Sequence, residues 1–448
     1  MAHSTLTVSD YQYLRAFGQL FPTRLLRRAV AVRGRATRER RLPLYLLLGL
    51  LITGFFHPRR GLTWLVDWFL PASRRRPTES ALYRARQRLG WAPLRWLRRH
   101  VVRPLATLAR DEYAFYQGLR LLALDGSTFT VADTPANERT FGRPRNQHGA
   151  GGYPLARVVA LCEVGTHALL AWRVRGYRRS EAELARRLLG RVPAGSLLLA
   201  DRNFHAFPLW HAARAGGYEL LLRVQKGPKF PIHRVLPDGS YHSVVLPRRG
   251  KHKQARALPV RVIRYRWTDE RGRVQEARLL TSLLDAARYP AAELVALYHR
   301  RWEQELVFAE IKAQLAGRPM QLRASDPRRV MQELDGLLLG HYTLRWAMLQ
   351  AARQAQVPAT SLSFTGCVDV VRVQLARVPS ARARRRAWQR WEQEFLRALG
   401  RQRLRPRSGR RCPRARKVTR SHWPLKRGQP SGKIPTLEVV PAVAEPVP

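Results

Sequence analysis

The sequence predicts a mixed α/β protein, with helical regions on both sides of a strand-rich centre. Residues 1–117 hold long apolar runs typical of helices, whereas short apolar runs typical of strands begin near residue 118. The later strand-like runs alternate with helical patterns, which indicates a mixed sheet with helices packed on it. With 448 residues, 45% of them hydrophobic, the chain can form two or three domains with a sizeable core.

The first 117 residues are predicted to form a helical DNA-binding domain. Its apolar run at residues 42–56 covers 15 residues, too short to span a bilayer comfortably, so we expect a buried helix. A basic helix is expected to begin at a Thr78 cap and to stop at Gly90. Such a helix suits DNA docking, and an ordinary amphipathic surface helix is an equally good interpretation.

Two aspartates stand directly after apolar strands of the centre. Asp125 follows LRLLAL and Asp201 follows SLLLA, and strand ends are where an α/β sheet presents functional side chains. A single Asp at such a position is more often a cap or turn residue than a catalyst. Asp133 and Asp285 are competing acids, and their positions beyond a strand and before a helix break favour structural roles.

The rest of the chain divides by pattern. Residues 226–286 are β-rich, with a hairpin expected to turn at residues 269–272, and form an insertion within a catalytic domain predicted at 118–350. Helices are expected over 351–400. Residues 401–448 are predicted to be a basic, disordered tail, because residues 401–427 hold twelve basic residues and no acid.

Four polar residues recur at helical spacing after Pro290. No Pro or Gly interrupts residues 291–315, so we predict one long helix there. At roughly 100° per residue, Tyr298, Arg301, Glu305 and Lys312 fall within about 60° of one another. Such a stripe is either a solvated face with paired charges or a metal-binding carboxylate flanked by groups that hold phosphates.

Charge and cysteine content narrow the class of protein. The 82 Lys and Arg residues against 31 acids give a formal charge of +51, which makes nucleic acid the expected partner. Three cysteines without a CxxC pair argue against structural zinc and against a disulfide framework, and they fit a reducing cytoplasm. The N-terminus lacks the pattern of a signal peptide, and we expect no membrane partner.

The Tyr-x2-Arg-x3-Glu-x6-Lys spacing resembles the signature of DDE transposases of the insertion-sequence-four family. The resemblance covers residues 78–350 and implies a ribonuclease-H-like core. It implies Asp125, Asp201 and Glu305 as catalytic acids that bind two Mg²⁺ or Mn²⁺ ions, because hard cations take carboxylate ligands. It also implies DNA-binding roles for a set of four residues, namely Tyr298, Arg301, Lys312 and Arg202.

The function implied is that of a transposase of a bacterial insertion sequence. It would bind terminal inverted repeats as a dimer, cut double-stranded DNA at the element ends, and join the 3′ ends to target DNA in the bacterial cytoplasm at the nucleoid. A ribonuclease-H-like nuclease or resolvase, and an inactive DNA-binding derivative, are the alternatives. Ser127 and Tyr298 leave a Ser or Tyr nucleophile open, although such a recombinase would not need three well-placed acids.

Overall fold

The N-terminal part of the protein is helical. A computed structural model describes residues 20–34, 42–57, 60–69, 76–146, 149–150, 152–225, 227–247, 256–268, 273–315, 321–379, 383–404 and 438–439. The first five helices are Thr23–Ala31 (α1), Leu44–Thr53 (α2), Leu62–Phe69 (α3), Glu79–Leu89 (α4) and Ala92–Val101 (α5).

Two of these helices confirm their sequence predictions. Helix α2 is almost completely buried, as expected for the apolar run at 42–56. In α4 the Thr78 side chain accepts a hydrogen bond from the Ala81 N–H, and Gly90 ends the helix with a φ of 64°. Within the described ranges, no helix is long and apolar enough to cross a membrane.

The centre of the protein is a mixed sheet, which confirms the α/β class. Its elements are Phe115–Tyr116 (β1), Leu119–Val131 (β2), Pro135–Phe141 (α6), Arg145–Asn146 (β3), Gly149–Ala150 (β4), Leu155–Glu163 (β5), Leu169–Gly176 (β6), Glu181–Arg186 (α7), Ser196–Ala200 (β7), Phe207–Gly216 (α8) and Glu219–Val224 (β8). The strand order is β6–β5–β2–β7–β8. β5 and β6 pair antiparallel, and β7 and β8 run parallel to β2. This arrangement is consistent with a ribonuclease-H-like core.

The β-rich insertion continues the same sheet. It contributes Arg234–Val235 (β9), Tyr241–Val245 (β10), Leu258–Thr268 (β11) and Val274–Thr281 (β12). β12 pairs antiparallel with β8, so the sheet runs on as β8–β12–β11–β10–β9. The pairing of Thr268 with Val274 confirms the expected hairpin, whose turn at 269–272 lies outside the described residues. The insertion is therefore held rigidly to the core by backbone hydrogen bonds.

The C-terminal half is mainly helical. Its elements are Ala291–His299 (α9), Trp302–Leu315 (α10), Gln321–Leu322 (β13), Pro327–Gln354 (α11), Phe364–Leu375 (α12), Arg385–Gly400 (α13) and Glu438–Val439 (β14). The prediction of one helix over 291–315 is wrong, because the helix is interrupted between α9 and α10. There the N–H groups of Arg300, Arg301 and Glu303 bond to carbonyls three residues earlier, which tightens the turn.

Helix α11 joins the N-terminal helices to the sheet, and all three share one hydrophobic core. Two glycines of α11 allow the close crossing with α2: a Cβ on Gly336 would lie 2.7 Å from the Leu51 carbonyl oxygen, and one on Gly340 would lie 2.3 Å from Phe55 Cβ. The expected domain boundary at residue 350 falls inside α11. The boundary before residue 118 also falls inside a paired unit, since β1 pairs with β2.

Parts of the predicted disordered tail are ordered. The Leu404 N–H donates to the Ser361 carbonyl oxygen at 2.8 Å, and β14 adds to the sheet through Glu438 opposite Arg266. The prediction of disorder is therefore wrong for residues 401–404 and 438–439, which make backbone pairs. The remainder of 401–448 lies outside the described residues.

Candidate active site

Sheet register brings Asp125 and Asp201 together. Leu124 pairs with Ala200 in the parallel β2–β7 ladder. The residue that follows Leu124 is Asp125, and the residue that follows Ala200 is Asp201. Neighbouring strands lie about 4.8 Å apart. Leu121 and Ala123 of β2 and Leu197 and Leu199 of β7 lie in the core on one side of the sheet, together with α10 and α11. By alternation, both aspartates face that same side.

The two aspartates are placed differently along their strands. Asp201 directly follows β7, as predicted. Asp125 lies inside β2, because β2 remains paired with β5 as far as Thr130 after β7 has ended. The prediction that Asp125 stands at the end of a strand is therefore wrong. Each carboxylate accepts a hydrogen bond from the next backbone N–H, at 2.8 Å from Gly126 and 2.6 Å from Arg202.

Tyr298 is buried rather than displayed on a helix face. It lies at the end of α9 with 5% of its surface exposed. Its hydroxyl donates to the carbonyl oxygen of Ala200 at 3.3 Å. Burial raises the pKa of this phenol well above its usual range, so it remains a neutral donor. In this geometry Tyr298 holds the strand end that presents Asp201.

Arg301 lies in the break between α9 and α10 and connects the acids electrostatically. It is buried, and its Nη2 lies 3.3 Å from Oε1 of Glu305. Asp201, Asp125 and Glu305 all interact with its guanidinium and, with Tyr298, raise its pKa against the opposing effect of burial. The stripe is therefore not a solvated face at this position. Of the three acids, Glu305 is the exposed one.

The other two basic residues of the predicted set lie on different elements: Lys312 on α10 and Arg202 in the turn after β7. The Lys312 ammonium lies 5.6 Å from the ring centre of Phe129, four residues after Asp125 on the same face of β2. Burial lowers the pKa of Lys312. Arg202 follows Asp201 in a short 3₁₀ turn, Arg202–Phe204, with an exposed side chain.

Asp125 has the electrostatics of a cation site. Burial raises its pKa to about 6, and Glu181 and Glu305 act in the same direction against the Gly126 hydrogen bond and Arg301. A divalent cation would relieve this excess of buried negative charge, and carboxylate oxygens are the donors that Mg²⁺ prefers. As the side chains stand, no three acidic, His or Cys groups in the described part of the chain converge closely enough to bind a metal ion together. The donor chemistry of the carboxylates fits a divalent cation.

The competing acids have local partners away from this site. Asp133 forms an ion pair with Arg143, whose guanidinium donates to the Oδ2 of that aspartate at 3.1 Å. Asp285 Oδ1 accepts from the backbone N–H groups of Ala287 and Arg288. Both roles are structural.

Sequence reasoning missed two acids that act on the site through packing. Glu181 lies against Gly126, where an added Cβ would lie 2.7 Å from its Cδ, and its charge acts to raise the pKa of Asp125. Asp238, from the insertion, accepts the Ala291 N–H at 2.9 Å and so caps α9, the helix that carries Tyr298. Both contacts are long-range, and the Ser-x-x-Glu cap that begins α7 is the only local signal near Glu181.

Family models match most of the folded chain. Residues 116–339 match the family described as "Transposase DDE domain", and residues 12–99 match the one described as "Insertion element 4 transposase N-terminal". The first match covers strands β2 to β13, all three acids and residues 327–339 of α11.

Two curated relatives and one solved structure are similar to this chain. Transposase InsG for insertion sequence element IS4, from Escherichia coli (strain K12), is 31% identical over 367 residues, which cover 77% of this chain and 80% of that protein. Putative transposase InsZ of the same strain is 31% identical over 196 residues, 42% of this chain and 64% of that protein. A solved piggyBac transposase synaptic complex with hairpin DNA aligns over 87% of this chain and 85% of that one, with a TM-score of 0.43 and 10% identity, a likeness too weak to define the fold.

The acids on a mixed sheet and the match over residues 116–339 define a DDE transposase. More narrowly, the chain belongs to the insertion-sequence-four family, as its N-terminal match and its identity to the IS4 transposase show. It is the transposase of a bacterial insertion sequence.

Proposed function

We propose that this transposase cuts DNA at the ends of its element and joins the 3′ ends to target DNA by metal-dependent phosphoryl transfer, with Asp125, Asp201 and Glu305 as the catalytic acids. One observation carries the proposal. The β2–β7 register makes the two aspartates neighbours on the face of the sheet that α10, the helix of Glu305, packs against.

The three carboxylates would bind Mg²⁺ or Mn²⁺, and we infer two ions. When bound, the ions activate the attacking water or hydroxyl and stabilise the charge on the leaving oxygen. Arg301 holds Glu305 close to the aspartates before metal enters. Tyr298 fixes the Ala200 backbone and thereby the direction of Asp201.

The basic residues near the acids would bind the DNA backbone. Lys312 lies near Phe129 of β2 and Arg202 directly follows Asp201, and cations at these points would hold the scissile phosphate in line with the attacking oxygen. Arg301 would join them once Glu305 turns to the metal. The formal net charge of +51 supports association of the protein with double-stranded DNA.

Assembly and location follow from the same function. We propose that the helices before residue 115 bind the terminal inverted repeats and that two copies act together on paired ends. Because the element is part of bacterial DNA, we place the protein in the cytoplasm at the nucleoid.

The test is cleavage and joining of DNA that carries the native element ends. Asp125→Asn, Asp201→Asn and Glu305→Gln are each expected to abolish cleavage and to leave end binding in a gel-shift assay close to wild type. Asp133→Asn is the matched control, since Asp133 pairs with Arg143 outside the site, and it should cleave normally. Near-normal cleavage by any of the first three removes that residue from the triad. Cut products without joined products would instead indicate a nuclease.

A further inference from the structure

A buried polar cluster lies on the side of α10 that faces away from the proposed metal site. It consists of five residues from three parts of the chain: His167, Glu303, Glu310, His341 and Arg345. At about 100° per residue, Glu303 and Glu310 lie roughly 150° around the helix from Glu305. The helix therefore directs Glu305 away from Glu303 and Glu310, and Glu310 is the more buried of these two.

The contacts of the cluster are short and mutual. His167 Nε2 lies 2.7 Å from Glu303 Oε2, and its Nδ1 lies 3.1 Å from Glu310 Oε1. Glu310 also accepts from Arg345 Nε at 3.2 Å and from His341 Nε2 at 3.0 Å. His167, His341 and Arg345 are at most 3% exposed. Burial and Arg345 oppose a positive charge on His167, but Glu310 and Glu303 outweigh them and raise its pKa.

The bond to Glu303 holds in either protonation state of His167. As an imidazolium, His167 donates Nε2–H to Glu303 and Nδ1–H to Glu310. As a neutral ring, it donates Nε2–H to Glu303 and accepts at Nδ1 from Arg345 Nη2, which lies 2.9 Å away. A carboxylate can only accept, so Nε2 must carry the proton in both cases.

His167 is itself fixed to the sheet that carries Asp125. It lies in the turn between β5 and β6, and β5 pairs with β2 through Ala160 opposite Asp125. The turn is held by the fully buried Glu163 side chain, which accepts from the Ala106 N–H at 3.0 Å and from the Thr166 hydroxyl at 2.6 Å. The apolar contacts of α10 bury Val307, Phe308 and Ile311, and the bond from His167 to Glu303 adds a directional contact at the start of the helix.

We propose that His167 is a positioning residue of the transposase: through Glu303 it locks the first turn of α10 against the sheet and so holds Glu305 in reach of Asp125 and Asp201. The inference rests on the proposed function, because it assigns Glu305 to the metal site. It adds a residue that the Tyr-Arg-Glu-Lys signature does not contain.

A matched pair of variants tests this role. His167→Gln keeps a side-chain N–H that can reach Glu303, whereas His167→Leu has similar bulk and no donor. Both replace the same residue at a φ of 58°, so they share any backbone cost. Trp172→Phe is the control, because it removes a different buried hydrogen bond, 2.6 Å to Asp335, and leaves α10 untouched.

The first measurement is amide hydrogen exchange of the metal-free full-length protein. His167→Leu should lose protection in the first turns of α10, while His167→Gln and Trp172→Phe should keep it. The second is single-turnover end cleavage against Mg²⁺ concentration. His167→Leu should need roughly tenfold more Mg²⁺, as expected when a group that orients a ligand is lost.

The possible outcomes separate this inference from the proposed function. Unchanged exchange in His167→Leu overturns the lock, whether or not the protein cleaves DNA. Altered exchange with an unchanged Mg²⁺ requirement overturns the link to Glu305, as does an equal shift in Trp172→Phe. If His167→Leu does not fold, Glu303→Ala against Glu303→Gln provides the same comparison from the partly exposed end of the bond. Failure of the wild-type protein to cleave refutes the proposed function, and the exchange result still decides the lock.

Discussion

The hydroxyl of Tyr298 donates a hydrogen bond to the carbonyl oxygen of Ala200, the residue that precedes Asp201. Tyr298 is the first residue of the Tyr-Arg-Glu-Lys signature and lies 97 residues after Asp201 in the sequence. The buried hydrogen bond to Ala200 nevertheless brings the signature next to the second aspartate. The first residue of the signature therefore supports an acid, whereas sequence resemblance assigned it to the DNA backbone.

Tyr298→Phe tests that support. Loss of one buried hydrogen bond should cost about 1 kcal/mol of unfolding free energy, and displacement of Asp201 should slow cleavage by roughly tenfold. End binding should not change. Tyr342→Phe is the matched control, since its hydroxyl bonds to the carbonyl oxygens of Val101 and Arg103, and it should lower stability alone. Weaker end binding by Tyr298→Phe would mean that the hydroxyl contacts DNA after all.

Part of the placement of the two aspartates on their strands was predictable because its signal is local. An apolar run followed by Asp marks where a strand leaves the interior, and this is true of Asp201. At Asp125 the end of the apolar run coincides only with the end of the pairing between β2 and β7. Strand β2 itself continues, because it remains paired with β5. The predicted end of the strand at Asp125 was wrong, because strand length depends on both partners.

The break between α9 and α10 could not be predicted from the sequence. No Pro or Gly marks it, and it is stabilised by contacts with distant segments. Arg300 donates to the Tyr113 carbonyl oxygen at 2.8 Å, and Arg301 turns toward the acids. The β8–β12 pairing that joins the insertion to the core is likewise non-local, so hydrophobic pattern alone gives no register for it.

Arg301 substitutions should separate charge from geometry. Arg301→Ala removes the cation next to three acids, and misplacement of the reacting groups should slow single-turnover cleavage of a pre-bound end by about 100-fold. Arg301→Lys keeps the positive charge but loses the forked hydrogen-bond donors of the guanidinium. Its cleavage rate should therefore fall less than that of Arg301→Ala. Arg187→Ala, which breaks an exposed ion pair with Glu183, should be silent. The melting temperature of each variant is the folding control. Cleavage by Arg301→Ala at the wild-type rate would show that Arg301 has no role in catalysis.

Gly340→Ala should weaken the joint between the N-terminal helices and α11. The new Cβ would lie 2.3 Å from Phe55 Cβ and 2.7 Å from the Ile52 carbonyl oxygen, so one helix must shift. Overpacking of this kind costs about 1–3 kcal/mol, seen as a lower urea midpoint. Gly190→Ala has no atom within 4 Å and should leave the midpoint unchanged. Equal midpoints for both variants would show that the crossing is looser than the structure indicates.

Asp238 links the β-rich insertion to the active-site helices, and its charge should make that link sensitive to acid. It forms an ion pair with the fully buried Arg261 and caps α9 at Ala291. Although burial acts to raise the pKa of Asp238, its hydrogen bonds from Ser240 and Ala291 and the charge of Arg261 outweigh burial and lower that pKa.

A carboxyl whose folded-state pKa is lowered contributes stability above its unfolded pKa, near 3.8, and that contribution is lost as the pH falls through the folded value. Asp238→Asn should therefore be less stable than wild type near neutral pH, because the buried Arg261 loses its counter-charge. The difference in unfolding free energy, measured with urea, should stay constant down to about pH 5 and narrow below about pH 4. A difference that is independent of pH down to the acid limit of folding would show that the carboxylate charge of Asp238 contributes nothing to this link.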